Sequence, residues 1–357
     1  MSAMEERLTG WFAEQLPGAA AVSIEGLDRN EVGHSAETLL LTVVSDGDRQ
    51  DVVVRMRPPS PGLLEPYDLA RQFTILRALE PTPVRSPRAL WLEPTGDVLG
   101  RDFYVMERLP GQVYERGVSA EVQADPERVR RMSEGIVEQL AAVHRVDLQA
   151  TGLAAVADGR TFLNRELDRW IGEIDRVKRG PLPALERLAE VVREQQPDPC
   201  PTVTLVHGDP KPGNVAFEGA EVSAVFDWEL ATVGDPLADV GYLEANWTLP
   251  GFITSVPGAL TVDEAVARWQ ELTGIAAEHR SWYRGFQWLK LSVIVLVAGH
   301  LVDAGHSDDP RFVGLAHAVP FLTSFGLRDM DIDEDLDPGP YLPRPERLRA
   351  IEGAGRR

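Results

Sequence analysis

Apolar positions recur along this chain with two different periods, and the change from one to the other divides it. Leu8, Trp11, Phe12 and Leu16 share one helical face that ends at Pro17-Gly18. Strand-like alternation follows at 22–27, 38–44 and 52–56, with a glycine-containing turn at 33–37 between the first two. A helix is predicted over 67–79, placing Leu69, Phe73, Leu76 and Leu79 inward. Further strands are read at 88–94 and 103–111, the second running out into Pro110-Gly111. From there the period is helical. The stretch 126–144 carries Val129, Met132, Ile136, Leu140 and Val143 on one face, and 162–177, 184–194, 263–272 and 281–304 read as helices too. The pattern predicts a β-rich lobe over residues 1–109 and a mainly helical one over 110–357, meeting near Leu109.

The helical half is interrupted once, between Thr204 and Asp239. An apolar run, 203–206, ends in His207-Gly208-Asp209, so a carboxylate sits on a turn just beyond a buried strand. Asn214 follows five residues later, then short strands at 215–217 and 222–226, the second delivering Asp227. Two carboxylates and one amide thus reach neighbouring turns. Such an all-oxygen set suits Mg²⁺ held together with substrate phosphates, and leaves one acid to orient a hydroxyl. His207 is expected to hydrogen-bond the loop and hold its shape, and Asp235 and Asp239 to cap a turn and the next helix. A G-x-x-x-x-G-K-[ST] phosphate loop is absent from the sequence.

H-G-D-x-x-x-x-N followed by D-W-E resembles the catalytic loop and metal motif of the aminoglycoside-phosphotransferase and choline-kinase family. The resemblance runs from about Gly33 to Trp247. It implies an α+β, protein-kinase-like two-lobe fold and Mg²⁺-dependent transfer from ATP or GTP to a hydroxyl of a small-molecule acceptor. Carried over, Asp209 is the base that accepts the hydroxyl proton, and Asn214 and Asp227 are the metal ligands. Lys211, in D-P-K-P-G-N, is placed to touch the transferred phosphoryl group. Arg55, in D-V-V-V-R-M-R-P-P, stands where the family carries its phosphate-pairing cation, and kinase domains found beside acyl-CoA dehydrogenases have a similar V-L-R-x-x-P-P. The family pairs that cation with a Glu on the next helix. Here the matching position is Gln72, an amide that bonds a guanidinium without pairing its charge. Ser35 falls in the turn expected over the phosphates, and Met106, Glu107 and Leu109 in the linker expected to meet the adenine edge. His144, in L-A-A-V-H-R-V-D, resembles the family's packed histidine near the catalytic loop.

Composition narrows the alternatives. Only seven residues separate Asp227 from Asp235, too few for the activation segment on which a protein kinase seats a peptide. A degenerate nucleotide-binding module without turnover remains a rival because of Gln72. A net charge of −20 repels nucleic acid and anionic membranes. The longest apolar run, 291–298, is too short to span a bilayer. An acidic start without the order of a signal peptide, and a single cysteine, Cys200, fit a reducing cytoplasm. The six acids within 329–337 read as a solvated tail. For the acceptor wall the candidates are Glu244 and Trp247, then His300, Asp303 and His306. Residues 241–253 offer one acid among apolar side chains, a composition expected to line a mainly apolar pocket and to favour a hydroxyacyl or other metabolic alcohol over an aminoglycoside.

Overall fold

The computed structural model describes residues 2–30, 37–115, 117–157 and 159–354. Helix α1 (Ala3–Gln15) starts at a reciprocal capping box between Ser2 and Glu5 and lays Leu8, Trp11 and Phe12 on a sheet. That sheet contains β1 (Val22–Asn30), β2 (Glu37–Ser45), β3 (Asp48–Met56), β4 (Ala89–Glu93) and β5 (Phe103–Glu107) in the order β1-β2-β3-β5-β4, all antiparallel. Side chains alternate between its faces. Leu39, Leu41, Val43, Val52, Val54, Met56, Phe103 and Val105 meet α1, so Arg55 and its cross-strand partner Tyr104 face the other way. Helix α2 (Leu69–Leu79) covers that second face and is capped by Asp68. Residues 31–36, and with them Ser35 and most of the expected turn at 33–37, lie outside the described residues.

The chain leaves this sheet after Glu107. The next strand, β6 (Gln112–Val113), already pairs with β8 (Val215–Glu218), which pairs in turn with β9 (Glu221–Val225). Between them come α3 (Ala120–Gln123), α4 (Pro126–His144), α5 (Phe162–Val177), α6 (Pro183–Glu194) and β7 (Thr204–Val206). After β9, β10 (Thr232–Gly234) pairs with β7, and α7 (Pro236–Trp247), α8 (Val262–Thr273) and α9 (Arg280–Asp303) complete the core. Three more helices, α10 (Pro310–Ala316), α11 (Val319–Asp329) and α12 (Pro345–Ala354), were not apparent in the periodicity.

Two expectations change here. Helix α9 is 24 residues long, and by length and mean hydropathy it could cross a bilayer, which the shorter apolar run at 291–298 concealed. In the fold 83% of its apolar window is buried by neighbouring helices, so it is the lobe's central core helix. The acidic run is not a loose tail either. Asp329 accepts bonds from Arg284 (2.7 Å) and Trp288 Nε1 (2.9 Å), Glu334 pairs with Arg187, and the Asp337 carbonyl accepts the Ala184 amide. Asp331, Asp333, Glu334, Asp335 and Asp337 are exposed, as their charge predicts, but these basic and backbone partners pin the segment along α6 and α9.

Candidate active site

The loop after β7 is held from beneath by one buried carboxylate. Asp239 on α7 accepts the backbone N–H groups of His207 (2.6 Å) and Gly208 (2.9 Å), and also meets His144 Nε2 at 3.1 Å. His144 Nδ1 accepts from Trp269 Nε1 at 2.9 Å, so its proton sits on Nε2 and points at Asp239. Burial opposes the charge on Asp239, but His144 and the backbone donors outweigh it and hold the carboxyl below its usual range. Asp239 therefore clamps the loop instead of capping the helix. Asp235 takes the cap, accepting the Leu237 amide at 2.9 Å. Gly208 has φ +84°, and a Cβ there would lie 2.5 Å from the Leu230 carbonyl oxygen, so the turn requires glycine. His207 Nε2 donates to the Phe226 carbonyl (2.7 Å) while its Nδ1 accepts the Asp209 amide (3.2 Å). One imidazole thus ties the strand that ends at Asp209 to the strand that ends at Asp227.

Asp209 emerges from this support with its two oxygens unequal. Asn214 Nδ2 donates to Oδ2 at 2.8 Å and to the Asp209 carbonyl at the same distance. Oδ1 is buried without a hydrogen-bond partner of ordinary geometry among the described residues. Lys211 Nζ lies 3.8 Å from Asp209 Oδ2 and 3.2 Å from Glu115, and the Asp209 charge chiefly raises its pKa. Asp227 occupies the left-handed region, φ +60° and ψ +58°, which Asp tolerates better than bulky residues do. Its Oδ1 lies 2.7 Å from Arg55 Nη2. Burial raises its carboxyl, but Arg55, Lys211 and His207 together leave it below the usual value. No group of three or more His, Cys, Asp or Glu among the described residues makes a metal cage. Asp227 and the Asn214 amide oxygen fit a cation that takes most of its ligands from phosphate and water.

The partner of Arg55 is a correction to the sequence reading. Gln72 is 3% exposed, but its Oε1 accepts from the Tyr104 hydroxyl (3.3 Å), across the ladder from Arg55. The carboxylates on Arg55 are Asp227 and Glu229, the latter at 3.3 Å and itself from D-W-E. Charge compensation that a helix Glu would supply thus comes from the metal motif, a contact between positions 174 residues apart that spacing does not reveal. At the linker, Met106 packs partly buried at the end of β5, and Leu109 lies just beyond it. The Glu107 side chain is taken by Arg88 at 2.8 Å, and its N–H donates to the Arg88 carbonyl.

The acceptor candidates are redistributed as well. Glu244, 6% exposed, is paired with Arg280 (2.9 Å) and Arg284 (3.1 Å). Trp247 is buried and donates to the Leu260 carbonyl. His300 and Asp303 line a different crevice with Val177, Arg179 and Tyr341, and Asp303 is held by Arg344 at 3.0 Å. His306 is exposed beyond α9. Residues 241–247 and 252–253 therefore build core rather than pocket, with one exception. Tyr242 stands beside Asp209, and burial, then that carboxylate, raises its phenol well above the ordinary value. Lys290 of α9, 5% exposed, donates to the Gly208 carbonyl with its Nζ 5.0 Å from the Tyr242 ring centroid. A lysine inside an apolar helix was the signal available for it in the sequence.

A β-rich lobe linked to a helical one, with acid, amide and acid gathered on the helical side, defines a protein-kinase-like phosphotransferase fold. The chain belongs to the phosphotransferase enzyme family (APH), whose profile matches residues 28–279. It is similar to a putative aminoglycoside phosphotransferase from Ralstonia eutropha, with a TM-score of 0.74, 23% identity, and 91% of this chain and 98% of that one covered. It also resembles aminoglycoside phosphotransferase APH(4)-Ia (D198A), solved with ADP and hygromycin B, with a TM-score of 0.60, 14% identity and coverage of 92% and 99%. Among curated proteins, rat acyl-CoA dehydrogenase family member 11 is 28% identical over 338 residues, 90% of this chain and 42% of that protein. The chain spans less than half the length of the first curated relatives it matches.

Proposed function

We propose that this protein transfers the γ-phosphoryl group of ATP, or of GTP, to a hydroxyl of a small molecule. The observation that carries the reading is Asp209, with Oδ2 fixed by Asn214 and its carboxylate beside the Tyr242 hydroxyl, next to a second carboxylate and two cations. Asp209 accepts the hydroxyl proton as the acceptor oxygen bonds to the γ-phosphorus. The bond from that phosphorus to the β–γ bridging oxygen breaks, and the nucleoside diphosphate leaves. Bound Mg²⁺ supplies charge neutralisation on the phosphates; Asn214 and Asp227 would hold it. Arg55 and Lys211 offset the remaining negative charge, and Tyr242 and the Asp239 clamp keep water and motion away from the base.

For the acceptor, we favour a hydroxyacyl compound or another metabolic alcohol. Support comes from the similarity to an acyl-CoA dehydrogenase family member, and from Glu244, whose carboxylate is consumed by two arginines and unavailable to an amino sugar. Gln72 favours the rival of a module without turnover less than its sequence position implied, since Glu229 supplies the negative charge. The test is an ATP-consumption screen of aminoglycosides, choline-like amines, macrolides and hydroxyacyl compounds, with product masses measured. An acceptor gaining one phosphoryl group, at a rate abolished by Asp209→Asn, supports the assignment. Nucleotide binding without turnover on any acceptor supports the rival.

A further inference from the structure

Buried or half-buried arginines in this protein usually meet a carboxylate. Arg55, Arg280 and Arg284 all do so within 3.3 Å. With 56 acids against 36 basic residues, partners are plentiful. Three cations beside the catalytic loop break that habit. Arg71 of α2 donates from Nη2 to the Glu229 carbonyl at 3.3 Å, while its Nε is buried without a partner. Arg169 of α5 lies 4.6 Å over the Trp170 ring and donates to the Glu65 carbonyl at 3.4 Å. Lys290 donates to the Gly208 carbonyl and has its Nζ 5.9 Å from the same Trp170 ring. Among the described residues, none of the three has a carboxylate oxygen within 4.0 Å.

These cations act on one another. Arg169 disfavours the charge on both Arg71 and Lys290, and burial lowers the pKa of each below its ordinary value. The acids that act in the other direction are Asp68 and Glu166 on Arg71, and Glu166, Asp209 and Asp239 on Lys290. Of these, Asp68 caps α2, Glu166 accepts from Trp170 Nε1, and Asp239 clamps the loop. Like charges held together at partial burial, with neutral carbonyls as their bonds, are costly unless an anion joins them. Lys290 bonds the residue before Asp209, and Arg71 bonds the backbone of D-W-E, so both stand beside the residues read as base and metal ligand.

We propose that Arg71, Arg169 and Lys290 form an anion-binding part of the acceptor site, and that the alcohol phosphorylated here carries a phosphate or a carboxylate. The inference rests on the phosphotransferase reading and deepens it. The guanidinium forks of Arg71 and Arg169 suit the paired oxygens of either group, and Lys290 adds a point charge.

The experiment uses ATP turnover on alcohols matched in carbon chain and differing in charge: a hydroxy acid, its neutral amide, its amine counterpart and the corresponding alcohol phosphate. The expected result is a kcat/KM at least tenfold higher for an anionic member than for its neutral twin. Arg169→Gln should lower kcat/KM for the anionic member at least tenfold more than for its neutral twin and so remove the preference, while Arg169→Glu should move it toward the amine. The carboxylate and phosphate arms identify which anion is used. Preference for the neutral or amine member, or an anion preference untouched in Arg169→Gln, overturns the proposal. If nothing turns over, the phosphotransferase reading fails separately, and binding decides the inference. Inorganic phosphate titrated into Mg·ADP-saturated protein should then bind the parent and at least tenfold more weakly the Arg71→Gln/Arg169→Gln variant, with ADP affinity reporting an intact fold. Absent or equal phosphate binding overturns it.

Discussion

Asp209 and Asp239 flank the same loop, the first half-buried and the second buried, and they are equipped for opposite tasks. Every oxygen of Asp239 is used: His144 and the His207 amide share Oδ2, and the Gly208 amide takes Oδ1. Asp209 instead meets side chains: Asn214 on Oδ2, the Tyr242 hydroxyl beside the carboxylate, and Lys211 Nζ at 3.8 Å. Asp239 spends its oxygens on backbone amides and a packed histidine and so holds the scaffold, while Asp209 stands among groups that can meet a ligand.

The strongest way to break this comparison is Asp209→Asn. Turnover on a confirmed acceptor should fall by roughly 10²–10⁴-fold, the usual worth of a positioned general base, while nucleotide affinity stays within about threefold. A variant that turns over normally would remove Asp209 from the chemistry. Asp239→Ala should do the reverse and act first on folding. It orphans His144 and two loop amides, and denaturant unfolding should show a loss of about 3 kcal/mol, in the range for breaking a buried charged network. Unchanged stability would show that the clamp is ornamental.

Glu229→Gln sharpens a smaller point. It removes one of the two carboxylates on Arg55, and the dissociation constant of Mg·ATP should rise about tenfold, equivalent to ~1.4 kcal/mol. Adding Gln72→Glu to that variant returns a carboxylate near Arg55 from the helix side and should recover part of the loss by calorimetry. No recovery would mean that the geometry at residue 72 serves Tyr104 alone. The smallest expected effect is on acid stability. Asp239 titrates below its ordinary range, so its contribution is complete above the unfolded-state value of about 3.9 and disappears as pH falls through the lower folded value. Urea unfolding of Asp239→Asn should therefore lose part of the parent's decline below about pH 4.

The loop itself was legible because its chemistry is local. The run from Thr204 to Asp227 carries strand, turn and ligand within a few residues of one another, and period-two alternation in β3 turns Arg55 away from the α1 side of the sheet. Contacts across long separations were not legible. Nothing in a single sequence says that Glu229 meets Arg55, that Lys290 reaches Gly208, or that Asp239 folds back under His207. Glu244 stays only a candidate for the acceptor wall in the sequence, because the arginines that satisfy it lie 36 and 40 residues onward. The acidic run at 329–337 was read by its charge alone, without the arginines that fix it.

Helix α9 joins these distant parts on one rod. Its first turns bond Glu244 and the Val192 carbonyl through Arg280, Arg284 and Trp282, its middle bonds Gly208, and its last residue bonds Arg344. Such a shared member makes the lobe mechanically indivisible. Amides of α6, α7 and the loop around Asp209 should exchange with solvent through a common opening event, and loosening the C-terminal strap should be felt at the phosphoryl-transfer centre as a loss of rigidity without any change in the residues that line it.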